Sequence, residues 1–188
     1  MRFDEVIAAG GVVVFPADTV YGLACDPANE DAVARLYELK GRPPDKPSAV
    51  MFFDRVQALS AVPELTARTR ALMARLLPGA VTLLVPSHRF PLAGGAGTLG
   101  LRVPDIPPLG AVPVLQSSAN AAGGPDARRL ADVPESIRRG ADLVIDGGEL
   151  PGTPSTVVDL RAYERGGEPL VVRPGAVPEA VVRLAAHD

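Results

Sequence analysis

Continuous apolar runs and stretches with helical apolar spacing take turns along this chain. The segment around Phe3–Ala9 reads as a short opening helix stopped by Gly10-Gly11. GVVVFP (11–16) reads as a strand apolar on both faces and ended by Pro16, and VYGLAC (20–25) as a second extended piece. Asn29 is placed to cap a helix over 30–40, with Glu30 and Asp31 in its first turn, apolar Val33, Leu36 and Leu39 at helical spacing, and Gly41 at its end. RPPDKP resists helix because each proline biases its neighbour to extended backbone.

Further on, SAVMFF is a strand, and residues 64–77 form a second amphipathic helix stopped by Pro78-Gly79. AVTLLVP and LGLRVP are strands flanking a glycine-rich loop, AGGAG, and VPVLQSS is a strand running into ANAAGGP. Asp132 with Glu135 makes a capping box for a short helix to Arg139. ADLVID, STVVDL and PLVVRP are three more strands, and VPEAVVRLAA a closing helix. The expected fold class is α/β: one domain over residues 1–188, a mixed, twisted open sheet with flanking helices.

Composition narrows the function classes. A net charge of −3 argues against a chain whose main task is gripping RNA or DNA, and predicts weak or indirect contact with tRNA. No apolar run approaches the roughly 20 residues of a membrane span, and the acidic N-terminus is unlike a signal peptide. Cys25 is the single cysteine, so no internal disulfide is expected; the cytoplasm is the expected compartment. Cys25 itself reads as a buried small hydrophobe rather than a nucleophile.

The polar motifs fall at strand and helix ends, where binding groups concentrate. FPADTVYGL (15–23) offers the Thr19 hydroxyl and, at Gly22, close backbone approach. KGRPPDKP (40–47) holds Lys40, Arg42 and Lys46, the only two lysines among them. Three cations within seven residues can bracket a polyphosphate, although Lys40 is equally explained by the helix dipole. SSANAAGG (117–124) places Ser118 and Asn120 on a loop whose N–H groups can nest an anion. PSTVVDL brings Ser155, RPG brings Arg173, and TLGLRVP brings Thr98 and Arg102. Neither P-loop nor GxGxxG fingerprint is present. His88 and His187 are the only histidines and are not placed like a base or a metal cluster, so no metal-ligating set is expected. The chemistry should rest on positioning and charge neutralisation.

Taken in order, FPADTVYGL, KGRP, PGAVTLL, LRVP, SSAN, PSTVVDL and RPGA resemble the YrdC-like family along nearly the whole chain. The resemblance implies a mixed α/β sheet with a positively charged concave face. It implies an enzyme, a nucleotidyltransferase, that makes threonylcarbamoyl-AMP and pyrophosphate from L-threonine, bicarbonate and ATP with Mg²⁺. Partner proteins would then transfer the threonylcarbamoyl group to tRNA. By the same resemblance Lys40, Arg42, Ser118 and Asn120 match a catalytic tetrad. Arg42, Lys46, Thr98, Ser118 and Arg173 fall where the family meets ATP, and Thr19, Arg102 and Ser155 where it meets threonine. The chain is similar to the short bacterial form without the extra C-terminal domain.

Ala17, Met51 and Gln116-Ser117 depart from the family pattern, and the stretch between LRVPDIP and VPVLQSSAN is several residues shorter, so a helix there is expected to be trimmed. Three alternatives stay open on sequence. One is a paralogue of the same fold that binds nucleotide or RNA without efficient synthesis. Another is a carbamoyl-transfer domain. The third, an RNA-binding module, is disfavoured by charge and by the few lysines.

Overall fold

The computed structural model describes residues 2–43, 46–95 and 97–187. Its nine strands are β1 (Val13–Pro16), β2 (Tyr21–Cys25), β3 (Ala49–Met51), β4 (Val81–Pro86), β5 (Thr98–Arg102), β6 (Val114–Ser118), β7 (Leu143–Val144), β8 (Thr156–Asp159) and β9 (Leu170–Arg173). They form one open mixed sheet in the order β7-β1-β2-β6-β3-β5-β4-β8-β9. The β1–β7, β3–β5 and β4–β8 pairs are parallel and the rest antiparallel. The helices are α1 (Phe3–Ala8), α2 (Glu30–Lys40), α3 (Arg55–Ser60), α4 (Ala67–Leu76), α5 (Glu135–Gly140), α6 (Arg161–Glu164) and α7 (Glu179–His187). No helix among the described residues is long and apolar enough to cross a membrane.

The strand alternation divides the molecule into two unequal halves. Val14, Leu23, Val50, Leu83, Leu101, Leu115 and Val158 point to one face, where they pack with Leu36 of α2, Leu72 and Met73 of α4, Ile137, Tyr163 and Val182. On the opposite face only the β1–β2–β6 end is covered. There Phe3, Val6 and Ile7 of α1 pack on Val13, Phe15, Ala24, Met51 and Val114. The rest of that face carries Ala49, Leu84, Gly100, Thr82, Arg102, Gln116 and Ser118, and it is left open as a pocket.

Several elements form for the reasons legible in the chain. The Asn29 side chain accepts from the Ala32 N–H at 3.0 Å, and Gly41 closes α2 in the left-handed region at φ 58°. The second amphipathic helix begins later than expected, at Ala67, because the Thr66 hydroxyl takes the capping position.

One expectation needs correction, and two short helices were not foreseen. Asp132 and Glu135 make no capping box: Asp132 accepts from the Arg129 N–H at 2.9 Å and closes a 3₁₀ turn over Leu130–Asp132, so α5 starts behind Pro134 without a side-chain cap. Helix α3 is an element missed in sequence, nucleated by the Asp54 carboxylate accepting from Gln57 N–H at 2.9 Å. Helix α6 is another, started by Asp159 accepting from Arg161 N–H at 2.9 Å. Between β5 and β6 no helix forms, as the shortened segment suggested.

Cys25 is fully buried in the helix-covered core, and burial pushes its thiol up to about 12, with Asp26 adding to the effect. Thiol-specific labelling at pH 8 should therefore be slow in the native protein and fast in denaturant; equal rates would show that Cys25 is accessible.

Candidate active site

The open part of the sheet forms the floor of a cavity of about 510 Å³, a size suited to a nucleotide-scale ligand. Thr19, Arg42, Thr98, Arg102, Ser118, Ser155 and Arg173 all line it, so most of the residues singled out in sequence converge on one space. Pairing registers explain how. Arg102 (β5) is level with Thr82 (β4), Val157 (β8) and Arg173 (β9), while Gly100 and Ala49 keep the centre of the floor low.

Arg102 is 4% exposed. Its Nη2 donates to Asp18 Oδ1 at 2.5 Å and reaches Thr19 Oγ1 at 3.5 Å, while its Nε is buried without a partner. Burial and the nearby Arg173 charge pull its guanidinium down from the ordinary value, and Asp18 opposes them. A buried arginine with unspent donors is a site for an oxyanion. Ser155 shares a 2.9 Å hydrogen bond with Thr82, and its carbonyl and hydroxyl accept from Arg173 Nη2 at 2.7 and 3.2 Å. The RPG glycine has a matching reason. A Cβ on Gly175 would lie 2.4 Å from Pro154 O and 2.5 Å from Thr156 N, so only glycine lets the Arg173 strand end pack against the Ser155 turn.

The KGRP segment divides its labour in a way the sequence did not show. Lys40 is not on the pocket wall. It is buried, and its Nζ donates to Ser118 O, to Asn120 O at 2.9 Å and to Asn120 Oδ1 at 3.0 Å. Burial and Arg42 pull the Lys40 ammonium down to about 8, with Asp126 opposing, so it remains mostly charged at neutral pH. Asn120 also lies behind the wall. Its Oδ1 accepts from Ser118 Oγ at 2.6 Å and its Nδ2 donates to Gly124 O at 2.6 Å. Lys40 and Asn120 thus brace the loop that presents Ser118.

Arg42 lines the pocket and holds the following loop through Nη2 to Pro47 O at 2.6 Å. Lys46 is exposed and is not among the residues that line the cavity, unlike Arg42.

Arg161, Gln116, Thr82 and Asp126 are pocket residues that the motif reading did not select. Arg161 is gripped bidentately by Asp159, and its Nη1 donates to Thr98 Oγ1 at 3.3 Å. It lies between the STVVDL and PLVVRP strands, in a stretch that carries none of the polar motifs. Thr82 did carry a signal, since it belongs to the PGAVT strand entry. Of the departures, Gln116 lines the pocket, whereas Ala17 and Met51 pack in the small core under α1. Four arginines line the cavity; Asp18 and Asp159 pair with Arg102 and Arg161, while Arg42 and Arg173 are in no ion pair to a described residue, so arginine donors concentrate here although the chain is net acidic.

The mixed sheet with its arginine-lined floor defines a member of the Sua5/YciO/YrdC family, and the chain belongs to it: the family model, described as telomere recombination, matches residues 5–175. Among its relatives is the threonylcarbamoyl-AMP synthase of Pyrococcus abyssi, 34% identical over 92% of this chain and 52% of that protein. The threonylcarbamoyl-AMP synthase of Stutzerimonas stutzeri is 36% identical over 90% of this chain and 94% of its own length. The crystal structure of P. abyssi Sua5 complexed with L-threonine matches with a TM-score of 0.85 at 31% identity, covering 96% of this chain and 55% of that one. The chain thus spans about half the length of the Pyrococcus protein and nearly all of the Stutzerimonas one.

Proposed function

We propose that residues 1–188 act as one unit that condenses L-threonine, bicarbonate and ATP into threonylcarbamoyl-AMP, water and pyrophosphate, a nucleotidyl transfer serving threonylcarbamoyladenosine modification of tRNA. The observation that carries the reading is a pair of anion sites in one cavity. Arg102, with Thr19 and Ser155 nearby, suits an amino-acid carboxylate; Arg42, Arg161 and Arg173, with Thr98 and Ser118, suit a triphosphate. The relatives named threonylcarbamoyl-AMP synthase, and the relative complexed with L-threonine, support the same assignment.

The chemistry needs no protein nucleophile. The threonine amine attacks the bicarbonate carbon, water leaves, and a carbamate forms. A carbamate oxygen then attacks the α-phosphorus and pyrophosphate departs. What the protein contributes is to bring anions together and hold them aligned, which is the work of fixed cations and of Ser118 on its braced loop. Partial enclosure protects the labile carbamate from water. Mg²⁺ fits as an ion arriving on the triphosphate. Among the described residues no group of three His, Cys, Asp or Glu could hold a metal, while Asp126 offers one carboxylate on the wall. When bound, the ion neutralises phosphate charge. Partner proteins would carry the product to tRNA in the cytoplasm.

The test is ATP-dependent pyrophosphate release with threonine and bicarbonate. Release that requires all three substrates is expected; ATP binding without any release would move the chain to the non-synthesising paralogue. In the same assay Arg42→Ala should weaken ATP by about ten- to a hundredfold, the value of a charge-assisted phosphate contact, and Lys46→Ala by clearly less. Equal losses would place Lys46 on the phosphates after all.

A further inference from the structure

We propose that Gln116 is a specificity-determining residue whose side-chain amide reads the hydroxyl of the amino-acid substrate. The inference rests on the synthesis reading above and concerns which amino acid the site accepts. Gln116 is 6% exposed, lies on the pocket floor, and makes no side-chain hydrogen bond to any described residue. Several polar side chains of the same floor are already engaged with one another, Ser118 with Asn120, Thr82 with Ser155 and Arg102 Nη2 with Asp18, whereas the Gln116 amide is not. Its amide atoms are not sealed in the protein but open to the cavity, where they are free to meet a bound molecule.

The surroundings are carved for that amide. In the sheet Gln116 is flanked by Ala24 and Ala49, which present only methyl groups. Beside it stands Gly22, where a Cβ would come within 2.9 Å of the Gln116 Nε2; any larger residue would displace the amide. Its place in the cavity is fixed by topology. Only β6 and β3, the strands of Gln116 and Ala49, separate β2 from β5 in the sheet. Thr19, just before β2, nonetheless meets Arg102 at the end of β5. The turn carrying Thr19 therefore reaches across β6 and β3, and Gln116 lies beneath the amino-acid end of the pocket.

An amide offers both donors and an acceptor, and so does a hydroxyl, which can satisfy Nε2 and Oε1 in turn. A methyl in the same position would leave the amide unpaired. Threonine and valine have nearly the same shape, so discrimination between them must come from such a polar contact. Serine keeps the hydroxyl and loses only a methyl, a much smaller penalty.

The experiment compares wild-type protein with Gln116→Met, which keeps length and removes the polar atoms. Pyrophosphate release is measured with threonine, serine and valine. The threonine-to-valine ratio of kcat/KM should fall by about tenfold or more in the variant. The ATP KM and the thermal midpoint should not worsen, because no protein bond is lost. An unchanged ratio overturns the inference and leaves the Thr19 hydroxyl as the reader. If wild-type protein releases no pyrophosphate, the synthesis reading fails separately. Calorimetric affinities for threonine and valine in the two proteins then decide the Gln116 question: a ratio narrowed by the substitution supports it, and an equal ratio overturns it.

Discussion

Lys40→Met should unfold at lower denaturant and lose pyrophosphate release together, because Lys40 holds the loop that presents Ser118. Its ammonium converges on three oxygens of the Ser118–Asn120 loop, two of them backbone carbonyls. Substitution removes the Lys40 donor from the two carbonyls, while Asn120 Oδ1 keeps the Ser118 hydroxyl; each buried polar group left unsatisfied costs about 1–3 kcal/mol, so a loss of about 2 kcal/mol or more is expected. The Ala122 N–H also donates to the Lys40 carbonyl at 2.8 Å, so the loop is tied to the end of α2 from both sides. Ser118 would lose its placement, and with it the contact that the loop presents to the pocket. Lys40→Arg should not rescue, since a planar fork cannot meet three oxygens arranged around a point charge. Urea unfolding monitored beside turnover checks the claim. A variant with full stability and lost turnover would instead return Lys40 to direct catalysis.

How far the sequence led is clearest in this segment. The end of α2 was readable to the residue, since Asn29 and Gly41 signal their caps by local chemistry alone. Which way Lys40 points was not. The dipole argument and the phosphate argument both take a helix-end lysine as surface-directed, whereas α2's last turn faces the sheet and buries it. Lys46 and Arg42 were read together, from their spacing and from the family resemblance. In space Arg42 turns back to bond the loop's carbonyls while Lys46 faces outward.

Arg161 shows the opposite limit. Its role depends on β8 lying beside β4, with Asp159 level with Leu84, which is a long-range pairing. Short helices such as α3 and α6 carry too few turns to show a period, and their starts depend on single carboxylates, Asp54 and Asp159. Strands were read well because both the helix-covered face and the small α1 core demand apolar residues. The positions that broke the apolar pattern on the other face, among them Thr82, Arg102 and Gln116, turned out to floor the pocket.

Arg102→Ala should abolish threonine use and cost about 3–5 kcal/mol of stability, the second effect arising from Asp18. The pair is buried on both sides, with side-chain exposures of 5% and 7%, so removing the guanidinium leaves a carboxylate desolvated and uncompensated. Asp18 retains only one described partner beyond Arg102, the Asp105 N–H at 3.4 Å, too long to replace an ion pair. The double variant Arg102→Ala with Asp18→Ala removes both charges and should recover much of the lost stability, because a paired burial can be replaced at small net cost. It should not recover threonine turnover, since the donors that face the carboxylate are gone. ATP binding should survive in the double variant, because Arg42, Arg161 and Arg173 stand on other elements: the loop after α2, the start of α6 and the end of β9. Denaturation of the single and double variants, with ATP affinity and threonine KM for each, separates the two roles. If the double variant regains threonine turnover along with stability, Arg102 serves only to hold Asp18 and the turn over the sheet, and the carboxylate of the substrate must be met elsewhere in the pocket.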